Sequence, residues 1–364
     1  MAHSRHSVFH PLAIADIEPL TDDSVAVTFD VPADLVDDYA FTHGQHLTIR
    51  TELAGDDVRR NYSICSLASS QRLRIAVKRL PGGAFSEHAL TTLRAGDVLE
   101  VMTPSGRFFT ELDRANAKHY ACVAAGSGIT PMLSIVASTL EAEPGSRVTL
   151  IYANRTHKSV MFLEEVEDLK DRYRERFHLV HVLSREPQEA ELFSGRLDAE
   201  RMARMLDSFL PPDDVDDWFL CGPHPMVTSI RDLLLSRGVE PGSVHAELFH
   251  VETAPPVRRT SVDTPGDTPL GEGADVTITL DGRQSTFTLG TDDVPVLEAA
   301  LAVRSDAPFA CKGGVCGTCR AKVLEGSVEM DTNWALEPDE VARGYVLTCQ
   351  SHPTSDKLVL DYDA

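Results

Sequence analysis

Short strand-like segments separated by turn residues fill the first part of the chain. Up to about Leu112, these segments alternate with Gly, Pro and Asp. Closely spaced short strands are typical of an antiparallel barrel or sandwich. We therefore predict an antiparallel β-barrel domain over residues 1–113. Its predicted strands include residues 25–29, 46–50, 61–66 and 73–77.

Strands alternate with helices in the middle of the chain, from Lys118 to His250. The predicted strands are 119–125, 147–153, 178–183, 217–221 and 244–249. The predicted helices between them are 131–140, 160–173, 199–206 and 225–236. This alternation indicates a parallel, doubly wound sheet, so we predict an α/β nucleotide-binding domain over residues 114–251.

A third region follows a break in the pattern. Residues 252–273 contain Pro-Pro and Pro-Gly pairs without apolar periodicity, which predicts a linker. Residues 274–280 and 283–289 then alternate around Asp281-Gly282, a strong hairpin signal. We predict a separate domain over residues 274–364.

Four cysteines lie close together in this last region. Cys311, Cys316 and Cys319 have C-x4-C-x2-C spacing, and Cys349 follows later. Plant-type [2Fe–2S] clusters have this spacing, because two irons bridged by sulfides need four further thiolates. Structural zinc or free thiols are the alternatives, but zinc sites usually pair two C-x2-C units. We predict that these four cysteines ligate a [2Fe–2S] cluster.

A candidate flavin site lies in the first domain. Arg60, Tyr62 and Ser63 place a cation, an aromatic ring and a hydroxyl along one predicted strand. A flavin needs a cation for its phosphate, a surface for its ring and a donor near N5. The alternative is an ordinary strand with a surface arginine.

A glycine-containing loop strengthens the flavin hypothesis. It runs from Lys78 to Ser86 and includes Gly82 and Gly83. The glycines leave backbone N–H groups for a phosphate, and Ser86 can cap the following helix. The alternative is a plain loop with a helix cap.

The first strand–helix turn of the second domain predicts a dinucleotide site. Gly126, Ser127 and Gly128 allow a tight turn, with Thr130 as the expected N-cap and Pro131 as the first helical residue. The sequence departs from G-x-G-x-x-G, because Pro131 occupies the third glycine position.

A second loop, Cys221-Gly222-Pro223, ends the fourth predicted strand. If the strand order is 3-2-1-4-5, both loops flank the crevice where ligands bind. We interpret Cys221 as a neighbour of the nicotinamide. A nucleophilic role is the alternative, although no histidine is placed as its base.

Polar residues end the second and third strands of this domain. They are Asn154, Arg155, Ser184 and Arg185. Guanidinium groups there suit a ribose 2′-phosphate, which favours NADPH over NADH. The alternative is two solvated arginines.

The charge of the chain limits its partners. The formal net charge is −22, which argues against nucleic acid or an anionic membrane as a partner. No signal peptide is evident, and no apolar run reaches the ~18 residues of a membrane span. We expect a cytoplasmic protein.

The motifs together resemble the ferredoxin–NADP⁺ reductase superfamily with a fused plant-type ferredoxin. The similar segments are 44–47, 60–65, 124–132, 221–223, 310–316 and 336–340. The resemblance implies a β-grasp ferredoxin domain, FAD as the flavin, NADPH as the donor and a multicomponent di-iron oxygenase as the acceptor. It also implies that Glu247 and Phe249 lie near the flavin and nicotinamide. The candidate catalytic residues are Ser63, Cys221, Glu247 and Phe249.

These observations predict an electron-transfer reductase. A hydride would pass from NADPH to the flavin, and the cluster would then carry electrons singly to an oxygenase. Residues 274–364 hold 15 acidic and 7 basic side chains, a net charge of −8, which predicts salt-sensitive docking to a basic partner face. The alternatives are a ring-hydroxylating dioxygenase or another monooxygenase as acceptor, and a non-catalytic electron carrier.

Overall fold

The computed structural model describes residues 8–249, 260–262, 273–290 and 294–364. The chain divides into two compact units. The larger contains His10–Val58 and Tyr62–Phe249, and the smaller contains Met1–Phe9, Arg59–Asn61 and His250–Ala364. Within the described ranges, no helix is both long and apolar enough to cross a membrane.

The first sheet is antiparallel and has six strands. They are β1 Phe9–Thr21, β2 Ser24–Asp30, β3 His46–Leu53, β4 Asp56–Ser63, β5 Arg74–Lys78 and β6 Val98–Met102. Their order is β4-β3-β6-β1-β2-β5, and helix α1 (Ala84–Thr91) follows β5. The predicted antiparallel architecture is confirmed, although β1 and β6 were not predicted.

A single β-bridge between the two edge strands closes this sheet. Ile64, directly after β4, pairs antiparallel with Ile75 in β5. Both side chains are fully buried, and the bridge joins the two edges of the sheet. Such closure leaves few unpaired edge groups and encloses an apolar interior, as the barrel prediction requires.

The second sheet is parallel and has five strands. They are β7 His119–Ala125, β8 Arg147–Asn154, β9 Phe177–Leu183, β10 Asp217–Gly222 and β11 Val244–Leu248. The order β11-β10-β7-β8-β9 is the 3-2-1-4-5 arrangement, read from the opposite edge, so the condition for a shared crevice is met. Four helices connect the strands: α2 Ile129–Ala142, α3 Leu163–Arg172, α4 Ala199–Ser208 and α5 His224–Ser236.

Helix α2 begins earlier than the sequence predicted. Residues Gly126–Gly128 form a 3-10 turn that runs directly into the helix. Gly128 is therefore the N-cap, and the predictions of Thr130 as N-cap and Pro131 as first helical residue are wrong. The Thr130 hydroxyl instead donates to the Ser127 carbonyl at 3.1 Å. Gly126 permits this path because its φ is +54°.

The smaller unit contains the predicted hairpin. Strands β13 Gly273–Leu280 and β14 Arg283–Gly290 pair in register, with Leu280 opposite Arg283. Asp281 and Gly282 between them have φ of 51° and 68°. Positive φ at both central residues is the geometry of a type I′ turn, which explains the strength of the Asp-Gly signal.

A mixed sheet and two helices form the rest of this fold. The remaining elements are α6 Val296–Val303, β15 Arg320–Glu325, β16 Val328–Met330, α7 Pro338–Ala342, β17 Tyr345–Leu347, β18 Ser351–Pro353 and β19 Lys357–Asp361. The sheet order is β14-β13-β19-β15-β17, with β13 parallel to β19. Helix α6 contacts β14. A helix packed on a mixed sheet is the arrangement of a β-grasp fold.

The predicted linker contains a strand. Most of residues 252–273 lie outside the described residues, but β12 (Thr260–Val262) pairs antiparallel with β16. Strand β18 completes the three-stranded sheet β12-β16-β18. The linker prediction is therefore wrong at these three positions. Backbone pairing with a distant strand supplies hydrogen bonds that local composition does not reveal.

Candidate functional site

The four C-terminal cysteines meet in two pairs. Cys311 interacts with Cys316, and Cys319 interacts with Cys349. Cys319 and Cys349 are buried, whereas Cys311 and Cys316 are partly exposed. The interaction with Cys316, and backbone N–H groups that include that of Gly313, hold the pKa of Cys311 below its usual range. A thiolate ligand is thus favoured there.

This pairing matches what two irons require. In a [2Fe–2S] cluster, each iron is bound by two bridging sulfides and therefore needs only two cysteines. The pairs Cys311–Cys316 and Cys319–Cys349 meet that requirement, so the residues fit the group that the spacing predicts.

The backbone around the cysteines comes close to the sulfur atoms and donates a hydrogen bond to one of them. The Gly313 N–H donates to Cys311 Sγ at 3.3 Å. Gly314 has a φ of +73°, and a Cβ there would lie 2.9 Å from the Thr332 carbonyl oxygen, so no larger residue fits without a shift. Hydrogen bonds to the sulfurs tune the reduction potential of such a cluster. Gln350, which the sequence did not single out, places Nε2 at 3.6 Å from Cys349 Sγ.

The two predicted nucleotide loops lie directly against each other. A Cβ on Gly128 would come within 2.2 Å of the Cys221 carbonyl oxygen, and one on Gly222 within 3.0 Å of the Ala125 Cβ. Only glycine allows such close approach of two backbones. The sheet register brings the loops together, because Cys221 in β10 pairs with Ala124 in β7. Pro223 follows as the N-cap of α5.

Three of the candidate catalytic residues are connected at the carboxyl edge of this sheet. Glu247 in β11 pairs with Cys221 in β10. The Ser63 hydroxyl, at the end of β4, donates to Glu247 Oε2 at 3.1 Å. The flavin motif and the nucleotide sheet therefore share one polar contact. Phe249, directly after β11, is 38 % exposed.

Desolvation sets the protonation of this group, although Glu247 itself is only half-buried. It raises the pKa of Glu247 to about 7, and the Ser63 hydrogen bond opposes that rise. Burial, followed by the charge of Glu247, also raises the pKa of Cys221 well above its usual range. Cys221 is fully buried and remains a neutral thiol, which argues against the nucleophile alternative.

The flavin motif is divided between the two units. Tyr62 packs against Phe85 of α1, with ring centroids 5.4 Å apart. Arg60 belongs to the smaller unit, where its exposed guanidinium donates to the Arg59 carbonyl at 2.7 Å. Tyr62 and Ser63 of the motif therefore belong to the larger unit, and Arg60 belongs to the smaller unit.

The loop from Lys78 to Ser86 is held by its own side chains. Ser86 Oγ accepts from the Leu80 N–H at 3.0 Å, and Lys78 Nζ pairs with Asp23 at 3.5 Å. The N-cap of α1 is Gly83, with no side-chain cap, so the prediction that Ser86 caps the helix is wrong. Ser86 lies within the first turn of α1 and orders the loop from inside.

The polar residues predicted for the adenosine end lie together. The Ser184 N–H donates to the Asn154 carbonyl at 2.9 Å, and the Arg185 N–H donates to the Arg155 carbonyl at 2.8 Å. Asn154 is buried, whereas Ser184 and both arginines are exposed. Backbone hydrogen bonds thus continue past the named ends of β8 and β9, and they bring the two arginine residues to neighbouring strand ends.

Tyr152 contacts the first nucleotide loop, and the sequence did not indicate this contact. It is fully buried in β8, and its hydroxyl donates to the Gly126 carbonyl at 3.1 Å. The bond fixes the turn of the first nucleotide loop. A tyrosine in an apolar strand carries no local signal of this role, because its partner lies on another strand–helix turn.

Three domain families match the chain in the order that the fold shows. An oxidoreductase FAD-binding domain matches residues 11–110, and an oxidoreductase NAD-binding domain matches residues 122–232. A 2Fe–2S iron–sulfur cluster binding domain matches residues 278–354. Both oxidoreductase matches favour an enzyme over a non-catalytic electron carrier.

Full-length relatives decide the family. The chain is 42 % identical, over 98 % of its length and 99 % of the relative, to one of the subunits of 1,2-phenylacetyl-CoA epoxidase from Escherichia coli K12. It is 32 % identical, over 99 % of its length and 98 % of the relative, to the ferredoxin reductase component of 3-ketosteroid-9-alpha-monooxygenase from Rhodococcus rhodochrous. This chain belongs to the family of flavin- and [2Fe–2S]-containing oxygenase reductases.

A solved structure agrees with that assignment. Phthalate dioxygenase reductase, described as modular for electron transfer from pyridine nucleotides to [2Fe–2S], is 25 % identical and has a TM-score of 0.60. The match covers 99 % of this chain and 100 % of that one. The predicted reductase superfamily, fold class and cofactor-binding domains of this oxygenase reductase are thereby confirmed.

Proposed function

We propose that this oxygenase reductase oxidises NADPH and supplies electrons to a di-iron phenylacetyl-CoA 1,2-epoxidase. The observation that carries the chemistry is the hydrogen bond from Ser63 to Glu247, since it joins the flavin motif to the nucleotide sheet. The acceptor is supported by the 42 % identity to the epoxidase component over almost the whole chain. When bound, FAD takes a hydride from the nicotinamide and the [2Fe–2S] group passes electrons on one at a time.

The residues around Glu247 orient the two rings and exclude water. Ser63 is buried and presents its hydroxyl at the end of β4. Glu247, with its pKa raised to about 7, can hold a proton on a carboxylate oxygen near neutral pH. Cys221 offers a neutral, polarizable sulfur in a dry position. Phe249 presents an exposed ring for stacking.

Phosphate recognition is assigned to backbone groups and cations. We assign the dinucleotide phosphates to the loop of Gly126, Ser127 and Gly128 at the start of α2, where unpaired N–H groups attract anions. Gly82 and Lys78 are the corresponding candidates for the flavin phosphate, with Arg60 as an additional cation. The Gly83 N–H, predicted for the same role, instead donates to the Leu80 carbonyl at 2.8 Å. Further contacts to the bound nucleotides are assigned to Tyr62, Ser86, Thr130, Pro131, Asn154, Ser184, Gly222 and Pro223.

We attribute a preference for NADPH over NADH to two arginines at neighbouring strand ends. Arg155 and Arg185 are exposed, and their backbones are hydrogen-bonded to each other at 2.8 Å. Guanidinium groups at two neighbouring strand ends suit the extra phosphate of NADPH. Arg155→Ala combined with Arg185→Ala is expected to raise the KM for NADPH while leaving the KM for NADH nearly unchanged.

A second acceptor class has its own support. The chain is 32 % identical to the reductase component of a 3-ketosteroid-9-alpha-monooxygenase, again over nearly its full length. The relatives thus belong to more than one oxygenase system, and these systems differ in the oxygenase that accepts the electrons. A steroid monooxygenase is therefore the alternative acceptor.

Reconstitution tests both parts of the proposal. Anaerobic NADPH should bleach the flavin absorbance of the purified protein, and a protein without flavin would refute the chemistry. The purified oxygenase component of the epoxidase should then support NADPH oxidation that depends on phenylacetyl-CoA. The oxygenase component of the steroid monooxygenase should not support NADPH oxidation that depends on the steroid. The reverse pattern would retain the reductase chemistry and replace the acceptor.

A further inference from the structure

A three-residue segment beside the flavin motif belongs to the unit that contains the cysteine cluster. Residues Arg59–Asn61 are grouped with the ferredoxin fold. Asn61 Nδ2 donates to Thr318 Oγ1 at 2.8 Å. Thr318 lies between the second and third predicted ligands, Cys316 and Cys319. A side chain 257 positions away in sequence thus contacts the ligand loop directly.

Arg59 anchors this segment. Its side chain is almost fully buried, and its guanidinium lies over the ring of Phe309 at 4.0 Å from the centroid. Nη2 also approaches the Ser305 carbonyl at 3.5 Å. A buried cation stacked on an aromatic ring is a rigid contact. The Asn61 amide, two residues along the same strand, is therefore held in place against the loop.

The amide of Asn61 decides which way the Thr318 hydroxyl points. A threonine hydroxyl has one proton to donate and two lone pairs that accept. Because Asn61 donates to it, the proton of Thr318 remains available for another acceptor. Thr318 lies two residues from Cys316 in the ligand loop, and its interaction with Cys316 opposes the rise in the pKa of that thiol. We therefore take the Cys316 sulfur as the acceptor for the Thr318 hydroxyl.

We propose that Asn61 is a positioning residue that aims the Thr318 hydroxyl at the Cys316 sulfur and thereby raises the reduction potential of the [2Fe–2S] cluster. Reduction adds negative charge to the sulfurs, and a hydrogen bond to sulfur stabilises the more negative state. The proposal rests on ligation by the four cysteines. It adds a tuning contact from outside the ligand loop.

Redox titration of the holoprotein, followed by electron paramagnetic resonance (EPR), tests this proposal. Thr318→Val removes the proton donor and should lower the cluster potential, with the ratio of reduced to oxidised cluster falling about fivefold at the wild-type midpoint. Thr318→Ser keeps a hydroxyl and should restore most of the potential. Asn61→Ala should give a smaller fall than Thr318→Val, because the hydroxyl becomes free to rotate.

Asn61→Asp provides the sharpest variant. A carboxylate accepts a hydrogen bond from the Thr318 hydroxyl and so turns that hydroxyl away from Cys316. The reduction potential of the cluster should therefore fall at least as far as in Thr318→Val. Thr277→Val is the matched control, since Thr277 bonds Thr286 on an exposed part of the sheet in the same unit. This control should leave the potential and the EPR spectrum unchanged.

The double variant Asn61→Ala/Thr318→Val separates positioning from general packing. If Asn61 acts through the hydroxyl, the double variant has the potential of Thr318→Val alone. Additive shifts would overturn the proposal, as would wild-type potentials in both Asn61 variants. Potential and EPR report only loaded molecules, so a variant that binds iron poorly is still informative. A wild-type protein without a cluster signal would refute the ligand assignment itself.

Discussion

Cysteine occupies two contrasting environments in this oxygenase reductase. In the parallel sheet, Cys122 and Cys221 are fully buried among apolar side chains, and burial raises the pKa of both thiols. In the C-terminal loop, hydrogen bonds from Cys316 and from backbone N–H groups hold the pKa of Cys311 below its usual range. Within the same loop, the paired thiols and burial raise the pKa values of Cys316 and Cys319. The comparison teaches that local partners, more than the residue type, set the pKa of a cysteine thiol.

Removing a loop cysteine should have the largest effect. Cys311→Ser is expected to lose most of the iron and the EPR signal of the reduced cluster, while flavin absorbance remains. A serine oxygen is a poor replacement for a thiolate at an iron–sulfur centre. Iron analysis together with visible spectra of the purified protein measures this loss.

Cys122→Ala is the matched control for that experiment. Cys122 is fully buried in β7, and its replacement should cost about 1 kcal/mol of stability without loss of iron. Equal iron loss in both variants would mean that the loop and the sheet cysteines do not differ as the structure indicates.

A methyl group between the nucleotide loops should have the next largest effect. In Gly128→Ala, the new Cβ would lie 2.2 Å from the Cys221 carbonyl oxygen, so the loops must separate. We expect kcat/KM for NADPH to fall at least about tenfold, a loss of about 1.4 kcal/mol in transition-state stabilisation. Steady-state reduction of an artificial acceptor provides the measurement.

Gly242→Ala is the control for this variant, because a Cβ there meets nothing within 4 Å. It should retain wild-type kinetics. Wild-type kinetics in Gly128→Ala would show that close contact of the two loops is not required for nicotinamide binding.

Glu247 should make the stability of the sheet region depend on pH. Its pKa rises from 4.5 to about 7 on folding, so between these values the folded protein holds more protons than the unfolded chain. Stability from this group is therefore complete below about pH 4.5 and is lost as pH rises through about 7, by at most about 3 kcal/mol. Glu247→Gln removes this loss.

Thermal midpoints from pH 5 to pH 8 test that sign. Glu247→Gln should gain stability relative to the wild type as pH rises, whereas Glu175→Gln, at an exposed position, should follow the wild type. A constant difference between Glu247→Gln and wild type across this range would contradict the assignment of a raised pKa to Glu247.

The smallest expected effect is on thiol modification. In native protein at pH 8, Cys122 and Cys221 should remain unmodified by iodoacetamide, since both are buried with raised pKa values. In protein stripped of iron, Cys311 should react first, because it is partly exposed with a lowered pKa. Peptide mass spectrometry identifies the sites, and rapid modification of Cys221 would reopen the nucleophile alternative.

The strand–helix pattern of the nucleotide domain was predictable because each element carries its own periodicity. Strand β7 was predicted with the observed bounds, and the Asp281-Gly282 turn was predicted from two residues that tolerate positive φ. Elements with mixed polarity were missed. Strand β1 contains Asp16, Glu18 and Pro19, so only its pairing with β2 and β6 reveals it.

Helix boundaries failed where local rules competed. Thr130 and Pro131 are good start residues, yet the 3-10 turn at Gly126–Gly128 already supplies the helical path. Ser86 likewise suits a cap but bonds the loop from within the helix. In both cases the backbone path of the preceding loop set the boundary, and that path depends on packing against the sheet.

The sequence by itself determined the order of the domains and the identity of the cysteine ligand candidates, because strand periodicity, turn chemistry and metal-ligand spacing are local properties. Only the tertiary structure decided which residues meet. The bonds from Ser63 to Glu247, Tyr152 to Gly126 and Asn61 to Thr318 each join distant segments. Hydrogen-bond partners and burial arise from packing of the whole chain, so the pKa values and the tuning contacts follow from the fold alone.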